Sequence, residues 1–437
     1  MNPDKTSGGQ APGTKAPHRA HWGTSLYVLC LLTVLHTLSL TDRFLIAAFG
    51  TQISVDLGLS NQQFGLVTGL AFTLFYATSG PLAGLLVDRY GPGRLLGIGV
   101  LIWSAMTALT GVAKGFFGLW LPRTLVGVGE AILLPAASKI LSLRFEPRYN
   151  ATVFGLFFMG GHIGVGIAYQ LGGGQLSGDE NFGWRDAFLQ LGSLGCVLGA
   201  LVWLSLRWLG SGPSVNPITT SAVGFGELVR IFFSVCRQNR RLQMALVGLA
   251  LLHILYAGVQ FLQIWLVQDK GFLPQQASAL YGRVYMLTAI PATLLGGVAA
   301  DQFAQRFNTS RAIFVAGVLM LCLPMILVFR LSDPASPLFS MGMVVSIFAF
   351  TFPYGAVIAL LMDEAPDTVK ALVMAAGLFV ANVVVIGTGT FLIGLSADVM
   401  AAANVETPLT RALLGSDVFL LLAIASYIGL HFVSRSR

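Results

Sequence analysis

Long apolar runs alternate with short polar breaks along nearly the whole chain. The runs fall at 24–50, 61–87, 95–112, 116–143, 150–175, 184–207, 241–267, 275–302, 312–329, 337–362, 370–397 and 412–433. About 20 apolar residues cross the hydrocarbon core of a bilayer as a helix, so each run predicts one membrane span. The break between the second and third runs is Gly84-Leu85-Leu86-Val87-Asp88-Arg89-Tyr90-Gly91-Pro92-Gly93-Arg94. Gly91, Pro92 and Gly93 stop a helix there, and the charges around them predict a tight hairpin that clamps neighbouring helices at one membrane face. The longest break, 208–240, opens on Gly210-Ser211-Gly212-Pro213 and turns amphipathic from Phe225 to Cys236, as a surface helix along the membrane does.

A weak internal repeat supports two halves. A shift of 213 positions places Gln62-Gln63 on Gln275-Gln276, Gly69 on Gly282, Gly84 on Gly297 and Asp88 on Asp301. The expected fold is an all-α membrane protein with twelve transmembrane helices in two pseudo-symmetric six-helix bundles. The bundles are 24–207 and 241–433, joined by the cytoplasmic linker 208–240. Residues 1–23 read as a disordered cytoplasmic N-terminus rather than a cleaved signal, and 434–437 as a C-terminal tail. Repeats of this kind place a substrate site near the bilayer midplane, between the halves.

Composition excludes a soluble fold. Of the 437 residues, 55% are hydrophobic and 10% charged, against about 25% charged in an ordinary soluble chain. The net charge of +7 comes from loop residues, not from a nucleic-acid surface. Segments on the side of the termini hold Lys5, Lys15, Arg19, Arg89, Arg94, Arg144, Arg148, Arg207, Arg230, Arg237, Arg240, Arg241, Arg306, Arg311, Lys370, Arg435 and Arg437. The opposite segments hold Lys114, Arg185, Lys270, Arg330 and Arg411. This bias predicts cytoplasmic termini in a plasma (inner) membrane. Cys30, Cys196, Cys236 and Cys322 form neither a disulfide framework nor a metal spacing. No phosphate-binding loop and no nucleophile–base pair is legible, which argues against an ATP-driven pump or an enzyme. No cofactor is expected; a proton gradient would supply the energy.

Ionised groups inside spans cost about 2.5–3.5 kcal/mol each at the helix centre, so those that persist usually pair or work. Lys139 lies near a span end and can snorkel. Arg43, Arg123 and Arg283 cannot. At about 1.5 Å of rise per residue, Asp42, Arg123 and Arg283 fall in the outer half of the bilayer, and Glu130 almost at its midplane. Asp42, Arg43, Arg123, Glu130 and Arg283 are therefore expected to converge on one central cavity. Asp42 would pair with Arg123, and Glu130 would serve as a second, switchable partner of Arg123. Moving helices would then shift the balance and take up or release a proton. A static ion-pair network that positions helices is the alternative. Arg43 or Arg283, with Arg283 preferred, would bind an anionic head group in bidentate fashion. Among uncharged groups, His253, Tyr256 and Gln260 share one face of the seventh span, and Asn382 lies in the eleventh. Each is a substrate contact or an interhelical hydrogen bond.

The break at Gly84, Asp88, Arg89, Gly91 and Arg94 resembles the loop signature of the major facilitator superfamily, roughly Gly-x-x-x-Asp-Arg-x-Gly-x-Arg. The resemblance implies alternating access and a gating role for these residues, with Asp301 at the matching place in the second half. Arg123-x-x-x-Gly127-x-Gly129-Glu130-Ala131 and Thr41-Asp42-Arg43, followed by Asp56-Leu57-Gly58-Leu59-Ser60-x-x-Gln63-x-Gly65, resemble the spinster branch. Asp42, Arg123 and Glu130 fill its charged positions; His162 stands where a proline is expected. That likeness implies proton-linked transport of an amphipathic, often anionic, molecule such as a lysolipid, by a protein that is usually a monomer. A sugar-acid or aromatic-acid symporter, a multidrug exporter and a non-transporting membrane receptor on the same scaffold remain open.

Overall fold

The structure is a computed structural model that describes residues 22–146, 149–176, 182–208, 225–366 and 369–435. The expected N-terminal tail and the Gly-Ser-Pro part of the linker lie outside these residues. Among those described, twelve helices are long and apolar enough to cross a membrane. Spans 1–6 are Trp22–Ala48, Asn61–Tyr90, Pro92–Thr110, Phe116–Arg144, Thr152–Gly172 and Trp184–Leu206. Spans 7–12 are Arg240–Val259, Pro274–Arg306, Arg311–Leu331, Pro337–Glu364, Leu372–Ala402 and Pro408–Val433. The linker carries the expected amphipathic helix, Phe225–Gln238. The chain is an integral, multi-pass membrane protein. Large apolar side chains such as Phe117, Leu287 and Leu321 stand exposed on its outer surface, where acyl chains replace water.

Several spans are not single rods. Span 7 breaks at His253 and again at Gln260–Phe261, then runs on to Gln268. Span 4 breaks after Glu130, span 10 at Phe352–Pro353, and span 12 after Asp417. Spans 2 and 11 each contain a widened π-type stretch, Leu66–Ala71 and Val380–Gly387. Such irregular turns free backbone groups and are found often at functional sites. Within each half, small residues let helices touch. A Cβ at Gly160 would lie 2.7 Å from the Thr33 carbonyl and one at Gly172 2.7 Å from that of Ala48, which brings span 5 against span 1.

The apolar core has three parts. Leu29, Trp103 and Leu141 belong to a cluster confined to the first half, and Leu249, Ile326 and Tyr427 to one confined to the second. A third cluster, with Phe49, Phe64, Tyr169, Phe261, Trp265 and Ile393, is built from both halves. Its residues sit at the ends of the spans away from the chain termini, so the halves share a core at that face.

Polar contacts seal the same face. Asp398 at the end of span 11 accepts from the Asn61 amide (3.1 Å), the Asn61 side chain (2.9 Å) and the Gln62 amide (2.8 Å), at the start of span 2. Gln263 accepts from both the amide and the hydroxyl of Thr51 at 2.9 Å. Ser278 donates to the Ala48 carbonyl at 2.6 Å.

Candidate functional site

Span 1 delivers three consecutive side chains to three different partners. The Asp42 carboxylate lies 3.3 Å from the Arg123 guanidinium, and both side chains are 1% exposed. The next residue, Arg43, turns about 100° around the helix and meets Glu130 at 2.8 Å. Phe44 packs edge-on against Tyr256 of the other half, with ring centroids 5.3 Å apart. Arg123 and Glu130 are two turns apart on span 4, so two ion pairs lace spans 1 and 4 together. The Arg43 guanidinium also lies over the rings of Phe72 (4.5 Å) and Tyr76 (4.7 Å) of span 2.

The expected Asp42–Arg123 pair is present. The expected second partner is corrected: Glu130 binds Arg43, not Arg123. The long Arg43 side chain spans the difference in depth to Glu130, and the choice of partner is set by how spans 1 and 4 are rotated against each other, which depth counting along a single helix does not show. Each carboxylate keeps one buried oxygen with no hydrogen-bond partner among the described residues, Asp42 Oδ2 and Glu130 Oε1, and Arg43 Nε and Arg123 Nε are likewise unpartnered. A buried carboxylate oxygen without a donor is costly. A proton on it would remove the charge and supply a donor.

Arg283 is corrected more strongly. It is exposed on span 8, away from the cavity, while Tyr281 and Tyr285 on the same helix face inward. A small cavity is walled by Phe44 of the first half and by Tyr256, Tyr281, Tyr285, Arg330 and Phe350, among others, of the second. Among the described lining residues, Arg330 is the cation of this cavity. It was expected in an outer loop, one residue beyond span 9, but that helix runs to Leu331 and buries it to 4% exposure. Its Nε donates to Asp417 of span 12 at 2.9 Å. An acid inside the last apolar run was the available sequence signal for this pair.

Of the expected substrate contacts, Tyr256 lines the cavity; Arg43, His253, Gln260 and Asn382 do not. His253 and Gln260 are buried at the two breaks of span 7. His253 Nδ1 lies 2.7 Å from the Leu249 carbonyl of its own helix. Asn382 donates to the Leu378 carbonyl one turn back, at 2.8 Å. His162, unusual in the sequence, joins the halves: its ring nitrogens lie 3.1 Å from the hydroxyls of Tyr285 and Thr293 of span 8.

At the face of the termini, Gly91 adopts φ 88° between Tyr90 and Pro92 and makes the hairpin, as its sequence required. Asp88 accepts from Lys139 of span 4 at 2.6 Å. Arg89 lies over the Tyr90 ring (5.4 Å), and Arg94 is exposed. Gly84 faces open space: a Cβ there meets nothing within 4 Å. In the second half Asp301 receives Arg311 at 2.7 Å, and Arg311 also reaches Asp363 at 2.8 Å. Exposed pairs contribute about 0–1 kcal/mol. Asp88→Asn should therefore shift the unfolding free energy in detergent by less than about 1 kcal/mol; a loss several times larger would mean that the turn carries stability rather than motion.

Two six-helix halves that share a core at one face, with buried ion pairs within each half and a small cavity between Phe44 and the second half, have the architecture of a membrane transporter. Residues 32–390 match the Major Facilitator Superfamily model, and the chain belongs to that family of transporters, which are not enzymes. It is 26% identical over 404 residues to an MFS-type efflux pump of Mycolicibacterium smegmatis, covering 91% of this chain and 89% of that protein. The likeness to the spinster branch also holds. Protein spinster of Drosophila melanogaster is 26% identical over 321 residues, covering 70% of this chain and 50% of that one. The fold matches a bacterial homolog of the human lysosomal transporter spinster, in an inward-facing and unoccupied conformation, with a TM-score of 0.78 at 23% identity over 94% of this chain and 98% of that one.

Proposed function

We propose that the protein is a proton-coupled secondary transporter that moves an amphipathic organic anion by alternating access. The observation that carries the coupling is the network of Asp42, Arg43, Arg123 and Glu130, with an unpartnered buried oxygen on each acid. The observation that carries the substrate class is the cavity. Its walls are largely apolar, with Phe44, Leu255, Leu262, Met343, Ile347 and Phe350, and Arg330 adds a cation at one side. In chemistry the former suits an apolar tail and the latter an anionic head group, and the cavity, about 40 Å³ here, widens as the halves move apart to take them. The bundle works in the plasma (inner) membrane with both termini cytoplasmic, and the shared core then closes the outer face. A sugar or aromatic acid is the second reading, favoured by the hydroxyls of Tyr256, Tyr281, Tyr285 and Ser346 in the same cavity.

Uptake into vesicles under an imposed pH gradient tests this reading. Radiolabelled lysophosphatidylglycerol should move with the gradient, and an uncoupler should stop it. Glucuronate moving in its place would select the second reading, and movement of neither under any gradient would contradict transport of this class. Arg330→Gln should lower the rate at least about tenfold, by removing a charge-assisted contact of about 1.5–3 kcal/mol. Arg283→Gln should leave it unchanged. The reverse pattern would return the head group to span 8.

A further inference from the structure

Among the described residues, the buried charges at the centre of the bundle are each paired, Glu130 with the half-buried Arg43. Asp42, Glu130 and Asp417 stand against Arg43, Arg123 and Arg330, in three ion pairs. With Arg283 outside, no surplus cation is left there among the described residues to receive an anion. A substrate anion entering this neutral, largely apolar space brings an uncompensated charge, which a low-dielectric site disfavours strongly unless a proton arrives with it.

The geometry shows where that proton goes. Arg330 uses Nε on Asp417, while its Nη1 is buried and has no partner among the described residues. The guanidinium is held over the rings of Trp265 (5.0 Å) and Phe329 (5.4 Å), which fixes its plane. Asp417 is 1% exposed, at the break between the two helices of span 12. A head group that reaches Arg330 therefore shares one guanidinium with one carboxylate. We propose that the Arg330–Asp417 pair is a second proton site, linked to substrate: an anionic carboxylate or phosphate head group takes Arg330, and Asp417 takes up one proton from the aqueous phase that supplies the anion. The step balances, with one anion and one proton in and no change in buried charge. It rests on the transport reading above and adds a proton site in the second half to the network in the first.

The groups around the pair leave Asp417 as the acceptor. Tyr256, Tyr281 and Tyr285 of spans 7 and 8 face the cavity and bring phenol hydroxyls, not carboxylates. Lys270, beyond span 7, donates to the Ser332 carbonyl at 2.9 Å and lies 5.4 Å from the Trp265 ring. Asp269 is held by the amide (2.6 Å) and hydroxyl (2.9 Å) of Thr410. Asp333 accepts from the Ala335 amide at 2.7 Å. On span 11, Asp398 is bound across to span 2. His253 of span 7 packs against Phe350 and Tyr354 of span 10.

Calorimetric titration of the purified full-length protein in detergent reads the proton directly. Lysophosphatidylglycerol and, separately, glucuronate are titrated in two buffers of different ionisation enthalpy. Wild type should take up about one proton per anion bound, and affinity should rise by about tenfold for each pH unit lowered through the range in which Asp417 titrates. Asp417→Asn should bind with no such uptake and with affinity independent of pH. Arg330→Lys, which keeps the charge but not the fork, should weaken binding. Binding by wild type with no proton uptake at any pH overturns the inference without use of a variant. Uptake kept in Asp417→Asn and lost in Glu130→Gln overturns it too, and leaves the transport reading standing. Vesicles that show no flux while the titration behaves as described would instead sink the transport reading alone.

Discussion

Arg123→Met is expected to cost about 3–5 kcal/mol of stability and to abolish transport. Removing one member of a buried ion pair leaves the other charge in a dry site, and that penalty exceeds the worth of the pair itself. Here the survivor is Asp42, 1% exposed, with its other oxygen already lacking a partner. The double variant Asp42→Asn/Arg123→Met removes both charges. It should recover most of the lost stability, because a neutral amide beside a thioether strands no ion. It should not recover coupled transport if Asp42 carries protons. Chemical unfolding in micelles and gradient-driven uptake in vesicles read the two quantities separately. Full uptake by a restabilised double variant would reduce the pair to a brace between spans 1 and 4.

The second large effect concerns the closed face. Asp398 holds the first turn of span 2 through two backbone amides and one side chain, at 2.8–3.1 Å. A carboxylate there also meets the positive end of the helix dipole. Each charge-assisted bond is worth about 1.5–3 kcal/mol, and every 1.4 kcal/mol is about tenfold in an equilibrium constant. Asp398→Ala should therefore shift the population by about 100-fold toward a state in which this face is parted. Gly394→Val should push the same way by bulk, since its Cβ would collide with the Asn61 carbonyl. Spin labels at Val55 and Val399, both exposed near that face, report the change as a longer distance. An unchanged distance in both variants would show that the shared apolar core alone holds the halves together.

Some of this was legible in the sequence, and the limits have physical causes. Span number and position follow from hydropathy and length, because a bilayer demands an uninterrupted apolar helix. The Asp42–Arg123 pair follows from depth, which helical rise supplies. Direction around the helix is less accessible. Arg283 sits at the right depth but on the face that looks out, and its neighbours Tyr281 and Tyr285 take the inward positions. Arg43 was weighed as a head-group binder, yet it closes on Glu130, a contact that depends on how spans 1 and 4 are rotated against each other. Arg330 was lost to a boundary: an arginine ends an apolar run on any hydropathy scale, whether it faces water or a buried aspartate. The breaks at His253 and Gln260 have no proline or glycine pair to announce them. For the hairpin turn after span 2 the sequence was explicit, since Gly91 and Pro92 leave the backbone few choices.

The measurement that tests the account most directly is proton movement in sealed proteoliposomes holding the purified protein. Lysophosphatidylglycerol is added outside, and a trapped pH dye is followed for wild type and for Glu130→Gln. The account predicts a lipid-dependent pH change with wild type and its loss with Glu130→Gln, although that variant still binds the lipid. An equal pH change with both proteins would contradict a proton site at Glu130 and leave the four-residue network as scaffolding.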